Sequence, residues 1–377
     1  MTQIILHHYD NSPFAEKARL MMGFKGLTWQ SVIQPVWAPK PQLTPLTGGY
    51  RRTPVMQIGA DIYIDTNLIA EELERRHPSP TLFPENGTAS GGWGGLVAYA
   101  LWAERMLFWP AVRYAMAWNA EKMPQELIDD RARMNGAPRG DVAKMKAAIP
   151  LFKEQLHNAL AVLDDALGQG SLYLFGDEPS LADFAAYHPI WFLENNGRKV
   201  GGVMADYLNA QAWTGRVREF RHGTREDMTP EQALAIAREA SPTAADPTGE
   251  ADENAPAPGT RVTVTPDDFG KDPVEGEVMA ASRRRISIRR EDPEVGEVAV
   301  HFPASVTLSV RSDRYTVGAH PMPPARGHPW RAALSCIRPV RVASPGAPRP
   351  FIGNRSSHVA ARRLLSVADL ALDLSRP

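Results

Sequence analysis

A single cysteine, Cys336, in 377 residues excludes an intrachain disulfide, a CxxC redox pair and a cysteine-based zinc site, and suits a reducing compartment. Neither sign of charge is in excess. The 42 basic and 43 acidic residues leave a net charge of -1, so no global field holds nucleic acid or an acidic membrane, and only a local patch could do so. Long apolar runs are also missing: residues 94–118 look membrane-like until Glu104, Arg105 and Arg113 interrupt them, short of a span of about 18 residues. The opening MTQIILHHYD has no basic region followed by a long apolar segment, as a secretory signal would. These absences predict a soluble cytoplasmic protein with neither membrane nor nucleic acid among its partners. What is present, 43% hydrophobic and 23% charged residues, is globular in composition, and the length predicts two or three domains at about 150 residues each.

Punctuation divides the chain. Residues 3–9 read as a buried strand. Phe14, Ala18, Met21 and Met22 recur with helical spacing behind Ser12, which can cap, and Pro13, which suits a first helical position. A second strand over 28–34, an irregular Pro/Gly-rich connection over 35–53, a hairpin of 55–58 and 61–64 turned at Gly59-Ala60, and a helix over 65–77 follow. That order builds a small mixed sheet with helices on its faces, residues 1–78. Residues 79–95 are a linker. Long helical patterns over 96–121, 141–167 and 180–193, with a short one over 229–239, predict an all-helical domain spanning 96–240. Residues 241–259 carry four acids and no base among Pro, Ala and Gly, which predicts a solvated linker.

Residues 260–310 change character. RVTV, EGEVMA, RISIRR, EVAVHF and VTLSV alternate in the manner of strands and predict a separate small all-β domain, barrel or sandwich. Within it the 283–290 arginine run alternates with Ile286 and Ile288 and reads as the wet face of a strand. From residue 311 there are eleven Arg, three Asp and no Lys or Glu, giving an irregular tail with a terminal helical pattern over 359–374. So abrupt a bias is what a shifted reading frame produces; resequencing the coding DNA without finding an indel would remove that explanation.

Three constellations carry chemistry. The first, Tyr9-Asp10-Asn11-Ser12-Pro13-Phe14, is a polar turn between a strand's carboxyl end and a helix N-terminus, where a thiolate is stabilised. A thiol of pKa near ~8.5 is only a few per cent ionised at pH 7. A hydroxyl hydrogen bond to the anion contributes ~1.5 to 3 kcal/mol without the serine ionising. Capping alone also explains Ser12, and one hydroxyl can accept from the helix while donating to sulfur. The second is Thr53-Pro54-Val55, where a cis bond would turn the backbone toward a cleft and Val55 could pair with an extended peptide; an ordinary trans proline is the plainer reading. The third, Asp65-Thr66, can hold an ammonium and a carboxylate at a helix N-terminus, or simply cap it. His7 and His8 read as a strand-end pair, not metal ligands, and no metal is expected.

SPFAEKARL, RRTPVMQIG and YIDT, in that order, together resemble the thioredoxin-like domain of the glutathione transferase superfamily, and Ser180-Leu181-Ala182-Asp183 resembles the capping box of its all-helical domain. The resemblance covers about residues 1–240. It implies an α/β thioredoxin-like domain followed by a helical bundle, with glutathione as co-substrate and a homodimer. By it, Ser12 would activate the glutathione thiol, with Tyr9 and Asn11 as alternatives. Thr53, Pro54 and Val55 would hold the cysteinyl backbone, Asp65 and Thr66 the γ-glutamyl end, and Lys40 or Arg52 the glycyl carboxylate. An apolar electrophile would meet the stripe of Trp102, Met106, Phe108, Trp109, Tyr114 and Trp118, with Trp102, Met106 and Trp109 as the pocket. The implied activity is transfer of an alkyl or aryl group to glutathione, in detoxification. The alternative is a glutathione-binding or scaffolding protein without turnover, its β extension contacting a macromolecule.

Overall fold

The computed structural model describes residues 3–85, 92–243 and 255–311. The chain opens with β1 (Ile5–His8), α1 (Pro13–Phe24), β2 (Thr28–Ile33), the single turn α2 (Thr44–Thr47), the hairpin β3 (Val55–Ile58) and β4 (Asp61–Ile64), and α3 (Thr66–Arg76). β1 is parallel to β2 and antiparallel to β3, the thioredoxin-like arrangement the sequence predicts. Alternation along the strands sorts the side chains: Leu6, Met56 and Ile58 join Met21 of α1 and Leu68 and Leu73 of α3 in one core, whereas Val55, Ile62 and Ile64 join another on the opposite face.

The helical part comprises α4 (Gly92–Trp102), a π turn (Ala103–Leu107), α5 (Phe108–Asn119), α6 (Gln125–Met134), α7 (Val142–Ala147), α8 (Ile149–Leu167), α9 (Leu181–Asn195), α10 (Arg198–Gly201) and α11 (Leu208–Arg218). The sequence reading missed α11 and α6; the only fully buried side chains of α6 are Ile128 and Asp130, and so polar a helix leaves no apolar period to read. The capping box of α9 forms. Ser180 N–H and Oγ both donate to Asp183 Oδ2 at 2.9 Å, while Asp183 Oδ1 accepts from Leu174 N–H at 3.0 Å and Trp213 Nε1 at 2.8 Å.

The chain then returns to the first sheet. β5 (Thr224–Asp227) adds in parallel to β2, and α12 (Pro230–Glu239) crosses the face opposite α1 and α3. Ala233 of α12 packs with Ile5 and Val32, and Leu234 and Ala237 with Val55, Ile62 and Ile64. The one-turn α2 is too short to cover this face, so a distant helix supplies the apolar surface it needs.

Residues beyond 260 form β6 (Arg261–Pro266), β7 (Val274–Ala281), β8 (Arg285–Asp292), β9 (Gly296–Pro303) and β10 (Thr307–Arg311). They do not make a sheet of their own, which corrects the expectation of a separate domain. β9 pairs in parallel with β4, Ile62 opposite Val300, and one sheet runs β10-β6-β7-β8-β9-β4-β3-β1-β2-β5. The physical reason is that β4 is otherwise an open edge. Val298, Val300 and Phe302 of β9 extend the core of Val55, Ile62 and Ile64 across it. Polar groups fasten the seam: His301 Nε2 donates to Asp61 Oδ1 at 3.0 Å and its Nδ1 pairs with Ser287 Oγ at 2.8 Å. Its ring stacks on Tyr63 at 4.6 Å.

The arginine run is likewise not a uniformly wet face. Arg284 stacks on Trp93 at 3.7 Å, buried Arg285 reaches Glu72 at 3.6 Å, and Arg290 donates to the Pro45 carbonyl at 2.5 Å. Arg289 faces solvent beside Glu277. Most of the acidic linker, residues 312–377 with their terminal helical pattern, and Cys336 lie outside the described residues.

Candidate functional site

At the carboxyl end of β1 the chain turns through Tyr9-Asp10-Asn11 into α1. Ser12 caps this helix, its Oγ accepting from Ala15 N–H at 3.2 Å, and it is almost wholly buried. The turn is backed by two neutral histidines. Burial pushes His7 down to about 4 against a Gln57 hydrogen bond that opposes it, and burial with the Arg19 charge pushes His8 down to about 3.

Ser12, Tyr9, Asn11, Lys40, Arg52, Thr53, Pro54, Asp65 and Thr66 all line one cavity of about 790 Å³. Every expected glutathione-site residue is therefore brought together except one. Val55 does not line the cavity: it is buried inside β3, opposite His7 on one side and Ile64 on the other, with its backbone in the sheet ladder. Thr53 and Pro54, joined by a cis peptide bond, are the part of that motif that faces the cavity.

Asp65 adopts φ +79°, accepts from Asn67 N–H at 2.8 Å and caps α3. Burial, then the charge of Glu104, pushes its carboxyl up to about 6, against the opposing charge of Lys17. The adjacent Thr66 Oγ1 is buried and has no hydrogen-bond partner among the described residues, an open donor and acceptor at a helix N-terminus. Lys40 is pushed down to about 7 by burial and by the neighbouring Arg131, with Asp130 opposing. Its ammonium sits over the Tyr9 ring at 5.6 Å. Arg52 is already paired, with Asp268 at 2.9 Å.

Sequence reasoning missed the support beneath this site. Buried Lys17 donates to Asn67 Oδ1 and Glu104 Oε1, both at 2.7 Å, and Asn67 Nδ2 donates to Glu104 Oε2 at 3.0 Å. Glu104 belongs to the π turn and lines the cavity. A carboxylate interrupting an apolar helical run was the available signal, because a charge is kept there only with partners.

The apolar side of the cavity corrects the expected pocket. Trp109 lines it, together with Leu101, Phe108, Val112 and Met116. Trp102 and Met106 instead line a smaller outer groove of about 430 Å³, and Met106 is 57% exposed. The cavity face lies one residue, or ~100° of helix, away from the stripe read from the sequence. Tyr114 is core and Trp118 is partly exposed. A third source also contributes to the wall: Asp268 and Phe269, from the connection between β6 and β7. Among the described residues no group of His, Cys, Asp and Glu is arranged to hold a metal, and no helix is long and apolar enough to cross a membrane.

The glutathione S-transferase N-terminal domain model matches residues 6–81, and the glutathione S-transferase C-terminal domain model matches residues 146–216. A GST-like protein from Pseudomonas syringae, of known crystal structure, is 37% identical over 82% of this chain and 100% of its own, with a TM-score of 0.65. A glutathione S-transferase from Rhodospirillum rubrum is 21% identical over 57% of this chain and 88% of its own, with a TM-score of 0.44. Poplar glutathione transferase F1 is 14% identical over 64% of this chain and 100% of its own, with a TM-score of 0.46. No curated protein matches the chain. Residues 6–216 are little more than half of the chain, so the Pseudomonas likeness continues beyond the two matched domains. With both domains of the family in order, and a relative matched along its whole length, this chain belongs to the glutathione S-transferase superfamily.

Proposed function

We propose that the protein is a glutathione transferase in which Ser12 stabilises the glutathione thiolate and an apolar electrophile is held against the helical wall. The observation that carries this reading is the single cavity lined both by the Ser12 turn and by Asp65 and Thr66 at the start of α3. Thr53 and Pro54 hold the cysteinyl backbone, Asp65 the γ-glutamyl ammonium, Thr66 its carboxylate, and Lys40 the glycyl carboxylate. Arg52 is the weaker anion site because Asp268 already neutralises it. In the reaction the thiol proton goes to solvent, the sulfur lone pair forms a C–S bond at the electrophilic carbon, and the leaving group departs with the electrons of the bond that breaks. A homodimer, a cytoplasmic location and a role in detoxification belong to the same proposal.

Turnover of an aryl halide tests it. Loss of one charged hydrogen bond of about 1.5 to 3 kcal/mol predicts that Ser12→Ala lowers kcat/KM by about 10- to 100-fold and raises the bound thiol's pKa, followed by thiolate absorbance. Ser12→Thr retains the hydroxyl and restores most of the rate. An unchanged rate in Ser12→Ala refutes the assignment, and glutathione binding without turnover in the wild type favours the non-catalytic alternative.

Glutathione affinity should also be bell-shaped in pH. Asp65 attracts an ammonium only when ionised, above about 6, and Lys40 attracts a carboxylate only when protonated, below about 7. Each limb falls by up to about tenfold per pH unit beyond those values. Calorimetry should find the acid limb flattened in Asp65→Asn and the alkaline limb flattened in Lys40→Met.

A further inference from the structure

The connection between β6 and β7 is fixed over the cavity by both preceding parts of the molecule. Asp268 accepts from Arg52 at 2.9 Å and Asp272 from Arg51 at 3.1 Å, on the thioredoxin-like side. Asp267 accepts from Arg105 at 3.1 Å, and Gly270 N–H donates to the Met134 carbonyl at 3.1 Å, on the helical side. Gly270 has φ +57°, a left-handed conformation that L side chains rarely adopt, so the backbone of this connection favours glycine.

Between these anchors Phe269 lines the cavity, its ring meeting Trp109 edge-on at 4.9 Å. Trp109 meets Phe108 at 5.1 Å, and Phe108 meets Phe14 at 4.6 Å. Phe14 lies two residues beyond Ser12. An aromatic series therefore leads from the extension to the turn where the thiolate would sit.

We propose that Phe269 is a specificity-determining residue of the electrophile subsite, and that with Trp109 it selects flat aromatic over linear alkyl groups. This inference rests on the glutathione-binding reading above. Aromatic faces and edges attract one another beyond their burial. A planar group laid along this wall gains those contacts, whereas a flexible chain gains only burial and loses more conformational freedom.

Calorimetry of the full chain with glutathione, S-benzylglutathione and S-hexylglutathione provides the test. Phe269→Ala should weaken S-benzylglutathione about 3- to 10-fold, leave glutathione within about twofold and weaken S-hexylglutathione less than the benzyl conjugate. Phe269→Leu keeps apolar bulk without the ring and should retain the alkyl affinity while losing the aromatic preference, which separates the role from a folding defect. Equal loss for both conjugates, or none, overturns the proposal while leaving the glutathione site intact. Failure of the wild type to bind glutathione at all overturns the functional reading and this inference together.

Discussion

The two edges of the β1–β4 sheet are closed by later parts of the chain in opposite ways. At the β2 edge, β5 is the exposed, charged segment Thr-Arg-Glu-Asp, held by backbone pairing and a Gln30–Glu226 hydrogen bond of 2.5 Å. At the β4 edge, β9 carries buried Val298, Val300, His301 and Phe302 and leads four more strands with it. A polar edge strand ends a sheet and discourages further pairing, whereas an apolar one continues both the sheet and its core. The second edge is also the one that matters for the site, because the strands it recruits include the connection bearing Asp268 and Phe269.

The largest effect is expected at the β4–β9 seam. His301→Ala removes the bonds to Asp61 and Ser287 and the stack on Tyr63, and should cost about 3 kcal/mol. Chemical denaturation measures the loss, and limited proteolysis should show the extension cut before residues 3–240; cleavage of both at one rate would erase the contrast between the edges. Next is Gly223→Ala at the other edge. Gly223 has φ +68°, and a Cβ would overlap the Leu27 carbonyl oxygen that receives Thr224 N–H, so about 1 to 3 kcal/mol is expected from backbone strain. The smallest change is Arg225→Ala. Its exposed pairs with Asp10 and Asp227 should contribute less than about 1 kcal/mol, diminishing in salt; a melting shift comparable to that of His301→Ala would mean that the two edges are closed alike.

Much of this was legible in the sequence because it is local. Ser12-Pro13 before an apolar helical stripe, the Gly59-Ala60 hairpin and Asp65 ahead of α3 each write their structure within a few residues. The cavity residues were legible too, since they sit at strand ends and helix starts whose order alone places them on one side of the sheet. The helical pocket was legible only in part: a stripe shows that a helix has faces, but which face meets the cleft depends on a neighbour, and of the three pocket residues Trp109 lines the cavity while Trp102 and Met106 do not. Lys17, Asn67 and Glu104 form one cluster from three distant segments, which no local pattern shows.

From its own composition and periodicity the chain settled where most strands and the longest helices lie, that Ser12, Asp65 and Ser180 start helices, and that residues 260–310 are strands, because backbone preferences and alternation act over short distances. Tertiary structure alone decided that those strands join the sheet at β4, that Asp268 takes Arg52, and that Phe269 completes the cavity wall. Such pairings depend on which edge and which surface remain uncovered once the rest has packed, and no local pattern records that.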